Sequence, residues 1–164
     1  MVMDRGHGRV SHAASTVLKL ILFPRIQAVL CFRVAHVLFE RRLTPFAYQL
    51  QSHILRISGA EIHPGAQIGP GLCLVHSSGI VIGDRARIGD NFVCFHGVTV
   101  GDSGKGDGQP LIGNNVTASA GAKILGGITI GDHAVIGANS VVLADIPAHA
   151  VAVGAPARVV RVKT

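Results

Sequence analysis

The sequence predicts a mainly β chain, wound as a parallel β-helix of hexapeptide repeats behind a short α-helical segment. Three observations lead there. An aliphatic residue returns every six positions from Ile62 onward. The texture changes at Glu61, from helical spacing to short apolar steps often followed by Gly. Aromatic residues make up only 4% of the 164 residues, with no Trp, while Gly counts 21. That composition suits thin, repetitive β structure better than a core of large rings.

Helical spacing of apolar residues runs from Ala13 to Phe39, with a break or kink expected at Pro24. A second helical pattern runs from Pro45 to Ile57, and Gly59 is its stop signal. Residues 1–12, MVMDRGHGRVSH, carry no periodicity and are expected to be a flexible arm. The domain plan is therefore an arm (1–12), a helical segment (13–59), a β-helix (60–157) with a loop at 101–111, and a C-terminal tail (158–164).

The period is carried by Ile62, Ile68, Leu74, Ile82, Ile88, Cys94 and Val100, then by Ile112, Ala118, Ile124, Ile130, Ile136, Val142 and Ala148. Two extra residues interrupt it between Leu74 and Ile82, and six between Val100 and Ile112. Such a period makes three short strands per triangular coil, each inward aliphatic stacking on its counterpart one coil earlier.

Apolar residues at 48% and charged residues at 15% exclude general disorder, and the length fits one domain. A net charge of +6 suits a phosphorylated or polyanionic ligand. Nucleic acid is not expected, because there is no dense Lys/Arg stripe and few rings for stacking. Cys31, Cys73 and Cys94 have no metal-like spacing and read as buried, reduced thiols of a cytoplasmic protein. No signal-peptide pattern is evident. Lys19, Pro24, Arg25, Arg33 and His36 interrupt the apolar stretch 17–39, so membrane association is not expected.

The register singles out two histidines. His76 is the third residue of the hexad starting at Leu74, and His96 the third of the hexad starting at Cys94. Their separation is one coil plus the two-residue insertion, so they share a corner, on strands ~4.8 Å apart. Ala120 and Ala138 follow in the same column and leave a narrow slot. Glu61 precedes the first hexad at the corner where the coil of His76 closes. Its carboxylate is placed to accept a hydrogen bond from one imidazole nitrogen and leave the other as a general base. His63, His133 and His149 lack such company and read as structural or solvent-facing. No metal is expected, since two histidines have no convincing third ligand. The excursion GDSGKGDGQP does not fit a phosphate-binding P-loop. It is expected to be a flap directly above the histidine column.

The stretches "RIQAVLCFRVAHVLF" and "YQLQSHILRISGAEIHPGAQIGPGLCLVHSSGIVIGD" resemble the bacterial serine O-acetyltransferases. The stretches "GVTVGDSGKGDGQPLIG" and "AGAKILGGITIGDHAVIGANSVVLADIPAHAVAVGAPARVV" continue the resemblance, which covers Pro24 to Val160. It implies a left-handed β-helix and a homotrimer, with acetyl-CoA as co-substrate in the groove between neighbouring β-helices. It also implies a base at His76 and an orienting acid at Glu61, within EIHP. Gly101, Ser103, Gly104, Lys105 and Ala120 would face CoA. The basic residues Arg158, Arg161 and Lys163 are expected to screen its phosphates.

There are departures. The family's Asp before the base is Val75, its loop Arg-His pair is Gly108-Gln109, and its long helical front is largely missing. Those groups grip the charges of serine, and leaving such charges unmatched and desolvated is costly. His96 and the short front resemble exopolysaccharide O-acetyltransferases instead. The expected function is therefore acetyl-CoA-dependent O-acetyl transfer by His76, with His96 positioning the acceptor or sharing the base's work. The acceptor is expected to be a sugar, glycan or other non-serine hydroxyl. The alternatives are a true serine O-acetyltransferase, a non-catalytic β-helix scaffold, and a metal-dependent hydratase on the same repeat.

Overall fold

The computed structural model describes residues 22–162. The expected arm, the helical pattern before Leu22, and Lys163 lie outside the described residues. Two helices open the described chain, α1 (Pro24–Glu40) and α2 (Thr44–Ser58). The expected break falls at Phe23, between the helical Leu22 and Pro24, and Pro24 opens α1, where its missing N–H is harmless in a first turn. Gly59 ends α2 with φ 69°, and its N–H bonds to the Leu55 carbonyl at 2.9 Å. The helices pack on each other and turn Ala28, Phe32 and Ile54 onto the first coil. Arg33 ties them down, donating to the carbonyls of Ile68 and Gly69. Burial pulls its pKa below the ordinary guanidinium value.

The solenoid follows, with three faces. The first holds β1 (Glu61–Ile62), β4 (Val81–Ile82), β7 (Thr99–Gly101), β10 (Lys123–Leu125) and β13 (Val141–Val142). The second holds β2 (Gln67–Ile68), β5 (Arg87–Ile88), β8 (Leu111–Ile112) and β11 (Thr129–Ile130). The third holds β3 (Cys73–Leu74), β6 (Val93–Cys94), β9 (Thr117–Ala118) and β12 (Val135–Ile136), then β14 (Ala150–Gly154) and β15 (Ala157–Val162).

Pairing is parallel throughout except for β15 on β14. Ile62, Ile82, Val100, Ile124 and Val142 stack in one column, all buried. Two positions earlier a second ladder is also buried, including Ala66, Ile80, Phe92, Val98 and Ala122. With two inward residues per six, the narrow prism is filled by aliphatics and small side chains, so no large ring is required.

The period ends earlier than the sequence suggests. Ala148 is exposed, and Ile146 takes the inward place, bridging to Ile130. Pro147 then turns the chain, and Ala152 pairs with Ile136. Described residues of the expected tail form β15, so Arg158 and Arg161 sit exposed on a closing strand.

Among the cysteines only Cys94 is buried; Cys31 is half-buried and Cys73 exposed. Outward and inward positions alternate along β3, which puts Cys73 outside and Leu74 inside. Burial pushes the Cys94 thiol up to about 12, with a smaller contribution from Cys73. At pH 8 Cys94 is held as the thiol, whereas the thiolate is the form that reacts. Iodoacetamide at pH 8 is therefore expected to label Cys73 in the folded protein and spare Cys94 until denaturant is added. Peptide mass mapping checks this, and equal labelling of both would contradict the buried position.

Candidate active site

Where the third face meets the first, the corners differ in length. An ordinary corner there takes four residues, as in Phe95-His96-Gly97-Val98 between β6 and β7. Gly97 (φ 68°) makes the turn, and its N–H bonds to the Ser78 carbonyl at 2.9 Å. Gly121 (φ 73°) repeats this one coil on, bonding to the His96 carbonyl at 2.8 Å. One coil earlier the corner takes six residues, Val75 to Ile80. Val75 still donates to the Cys94 carbonyl at 2.9 Å, and Gly79 rejoins the ladder through the Gly59 carbonyl at 2.8 Å. The backbone N–H groups of His76, Ser77 and Ser78 join no rung between them. The two-residue insertion is thus absorbed as a bulge just after His76, and His76 and His96 are both exposed on the corner. Ser77 Oγ pins the bulge to the Ser58 carbonyl at the end of α2, at 2.7 Å.

The register Leu74↔Cys94 carries through to the rings. His76 and His96 have centroids 6.0 Å apart at an interplanar angle of 66°. Ala120 and Ala138 stand above them in the same column, as the pairing of Cys94, Ala118 and Ile136 requires. An open pocket of about 370 Å³ lies between the helical front and His76, lined by Phe23, Arg25, Ile57, Ser58, Ser77 and Ser78 among others. Its size is within the range of small-molecule sites. Arg25 Nη1 donates to the Val75 carbonyl at 2.8 Å. In the sequence Arg25 registered only as a break in an apolar stretch. A contact across fifty residues depends on how the helices dock, which local spacing does not encode.

Glu61 is exposed on β1, level with Val81, and its N–H bonds to the Ile80 carbonyl at 2.8 Å. Its carboxylate forms no hydrogen bond or ion pair with His76 or any other described residue. The two side chains flank one corner: the bulge carries His76 before the turn, while Glu61 faces outward after it. The expected Glu61–His76 hydrogen bond is not formed within this chain. Lys123 on β10, unremarked in the sequence, lies on the same face and donates to Gly97 O at 2.5 Å and Thr99 Oγ1 at 3.0 Å.

The Gly-rich loop is not above the histidines. It leaves after β7, at the corner between the first and second faces, a whole strand beyond His96. The turn at Gly97 and the strand β7 separate them. Gln109 fastens the loop, donating to Asp84 Oδ1 at 2.7 Å and accepting from the Arg85 N–H at 3.1 Å. Arg85 lies 3.7 Å from Asp102. Asp107 rests on Gly126 and Gly127, where a Cβ on Gly127 would overlap the Asp107 carbonyl. Inside the loop, Ser103 Oγ donates to Asp107 at 2.7 Å and the Gly104 N–H to Asp102 at 2.5 Å. Gly101, Ser103, Gly104 and Lys105 therefore occupy one edge of the prism, and His76, His96 and Ala120 another.

His63 accepts from the Gly65 N–H at 3.0 Å and packs against Phe39 and Tyr48, joining the helices to the first coil. His133 and His149, expected to lack company, stack on each other at 4.8 Å. No group of three or more His, Cys, Asp or Glu able to hold a metal occurs among the described residues. Nor is any helix among them long and apolar enough to cross a membrane.

A parallel β-solenoid of six-residue steps, with paired imidazoles at one corner, defines a hexapeptide-repeat transferase. The bacterial transferase hexapeptide (six repeats) family matches residues 110–144. Serine acetyltransferase of Helicobacter pylori (strain J99) is 49% identical over 143 residues, covering 86% of this chain and 84% of that protein. The chain belongs to the serine acetyltransferase family, acetyl-CoA-dependent O-acetyltransferases on a left-handed β-helix. The Synechococcus elongatus serine acetyltransferase is 47% identical over 144 residues, 86% of this chain and 59% of that protein. Among solved structures, Brucella abortus serine acetyltransferase in complex with coenzyme A matches with TM-score 0.86 and 39% identity, over 94% of this chain and 63% of that one. Soybean serine acetyltransferase complexed with serine matches with TM-score 0.84 and 42% identity, over 92% and 63%. The chain spans less than two thirds of those two crystallised chains.

These relatives correct the expected acceptor. Proteins sharing nearly half their residues with this chain are named serine acetyltransferases, and one solved relative holds serine, so a sugar or glycan acceptor is not supported. The short helical front does not argue against serine either. The 143 aligned residues are 84% of the Helicobacter protein, which is therefore nearly as short as this chain.

The bulge can be tested alone. Deleting Ser77 and Ser78 restores six-residue spacing and removes the Ser77–Ser58 bond that ties the corner to α2. The deletion is expected to keep the β-helix circular dichroism spectrum and to lower acetyl transfer about 10²-fold if this corner carries the acid–base group. Full turnover in a folded deletion variant would show that the bulge is not needed.

Proposed function

We propose that this chain is a serine O-acetyltransferase in which His76 is the general base. One observation carries the reading: His76 stands on the bulged corner against His96, at the wall of a cavity that also presents a guanidinium. His76 takes the proton of the serine hydroxyl as its oxygen attacks the thioester carbonyl of acetyl-CoA. The carbon–sulfur bond then breaks, and the imidazolium returns the proton to the departing CoA thiolate. Backbone N–H groups of the Gly-rich loop stabilise the oxyanion. His96 positions the acceptor or shares the base's work, and Glu61, across the same corner and without a hydrogen bond to His76 in the isolated chain, takes up its orienting role when the site is assembled. Ala120 keeps the slot above the rings open for CoA.

The working unit is a homotrimer. The loop and the histidine corner lie on different edges of one prism, so a site that uses both draws on two protomers, with Gly101, Ser103, Gly104 and Lys105 reaching a neighbour's His76. Residues 60–157 are the catalytic unit, and the helices wall its acceptor side. Free, partly exposed thiols suit a reducing compartment such as the cytoplasm.

The test is CoA-thiol release with acetyl-CoA and L-serine. Saturable dependence on serine is expected. His76→Ala should lower kcat by about 10²–10⁴ with the trimer intact, and Glu61→Gln by less. Near-full turnover of His76→Ala would remove its role, and wild-type enzyme indifferent to serine would overturn the acceptor.

A further inference from the structure

The corner that holds His76 differs in charge from the family pattern, and a guanidinium stands beside it. Position 75, where the resemblance places an aspartate, is Val75. The carbonyl of that residue accepts a hydrogen bond from Arg25 Nη1 at 2.8 Å. Arg25, in the first turn of α1, lines the cavity in front of His76 together with Ser58, Ser77 and Ser78. A guanidinium has five N–H donors in a planar fork. Arg25 spends one on Val75, leans over the Phe23 ring at 5.5 Å, and has no ion pair with any described carboxylate. Its remaining donors are open to a ligand, and the backbone bond fixes where the fork stands relative to the corner.

A fork of this kind matches a carboxylate with two parallel hydrogen bonds. The family's Arg-His pair in the Gly-rich loop is absent: Gly108 has no side chain, and Gln109 is tied to Asp84 and Arg85. We propose that Arg25 binds the carboxylate of the acceptor serine, setting its hydroxyl toward His76, in place of the missing loop residues. This rests on the serine reading above. Arg25 is then a specificity-determining residue supplied by the helical front, and it selects an acceptor with a carboxylate close to the reacting hydroxyl.

The test compares L-serine with L-serinamide, which keeps the hydroxyl and the amine but lacks the carboxylate, on the full-length enzyme. Arg25→Ala is expected to raise KM for serine about ten- to hundredfold, as loss of a charged hydrogen-bond partner does. KM for acetyl-CoA and turnover of serinamide should stay unchanged. Arg25→Lys, which keeps the charge but not the fork, should fall between. A merely structural Arg25 would weaken both acceptors equally, and that result would overturn the proposal. So would a change confined to the KM for acetyl-CoA, which would assign the guanidinium to a CoA phosphate. Wild-type enzyme that acetylates serine while Arg25→Ala retains its serine KM would defeat this inference alone. Wild-type enzyme that ignores serine would defeat the acceptor reading with it.

Discussion

Everything in this molecule depends on the vertical stacking of like residues at six-residue intervals. Each coil places an aliphatic side chain on the one beneath it, so Ile62, Ile82, Val100, Ile124 and Val142 form one continuous buried column. Burial of such side chains contributes roughly 1.5–3 kcal/mol each, and a one-residue slip would turn a whole column outward. The stacking therefore fixes the register, and the register fixes what stands at every corner. His76 and His96 are neighbours because Leu74 and Cys94 are.

Against such a regular frame, irregularity marks the places where chemistry can be built. Two residues inserted after His76 cannot be absorbed in a paired strand, so they bulge at the corner beside α2, where Ser77 meets Ser58. Six residues inserted after Val100 cannot be absorbed either, and they leave as the Gly-rich loop from the next edge. Each irregularity is held by a few specific bonds, Ser77 to Ser58 in the first and Gln109 to Asp84 and Arg85 in the second. The helical front is part of the same construction. Arg33 ties it to the first coil by two carbonyl bonds, and that docking brings Arg25 to the backbone of Val75. Acceptor recognition can thus move from the loop to the helices without disturbing the base.

Periodicity made the solenoid, the faces of its strands and the histidine pair legible, because all three follow from counting along one local repeat. The count failed at Ala148, where Ile146-Pro147 cuts the last coil short, since proline lacks the N–H needed for another rung. At the loop the hexad count holds, but the excursion leaves from the corner between the first and second faces, not from the one that carries the histidines. Arg25 was out of reach because its partner is fifty residues away and depends on helix docking. The acceptor was misread from the same gap. Losing Asp at 75 and Arg-His at 108–109 looked like losing serine, because a replacement from a distant helix leaves no local trace.

The most direct measurement of the central claim is a crystal structure of the assembled enzyme with CoA and L-serine. The expected result places the serine hydroxyl at hydrogen-bond distance, about 2.6–3.2 Å, from an imidazole nitrogen of His76. Serine seated beyond reach of His76, for instance beside Gln109 of the same prism edge as the loop, would contradict the bulged corner as the place where the acetyl group moves.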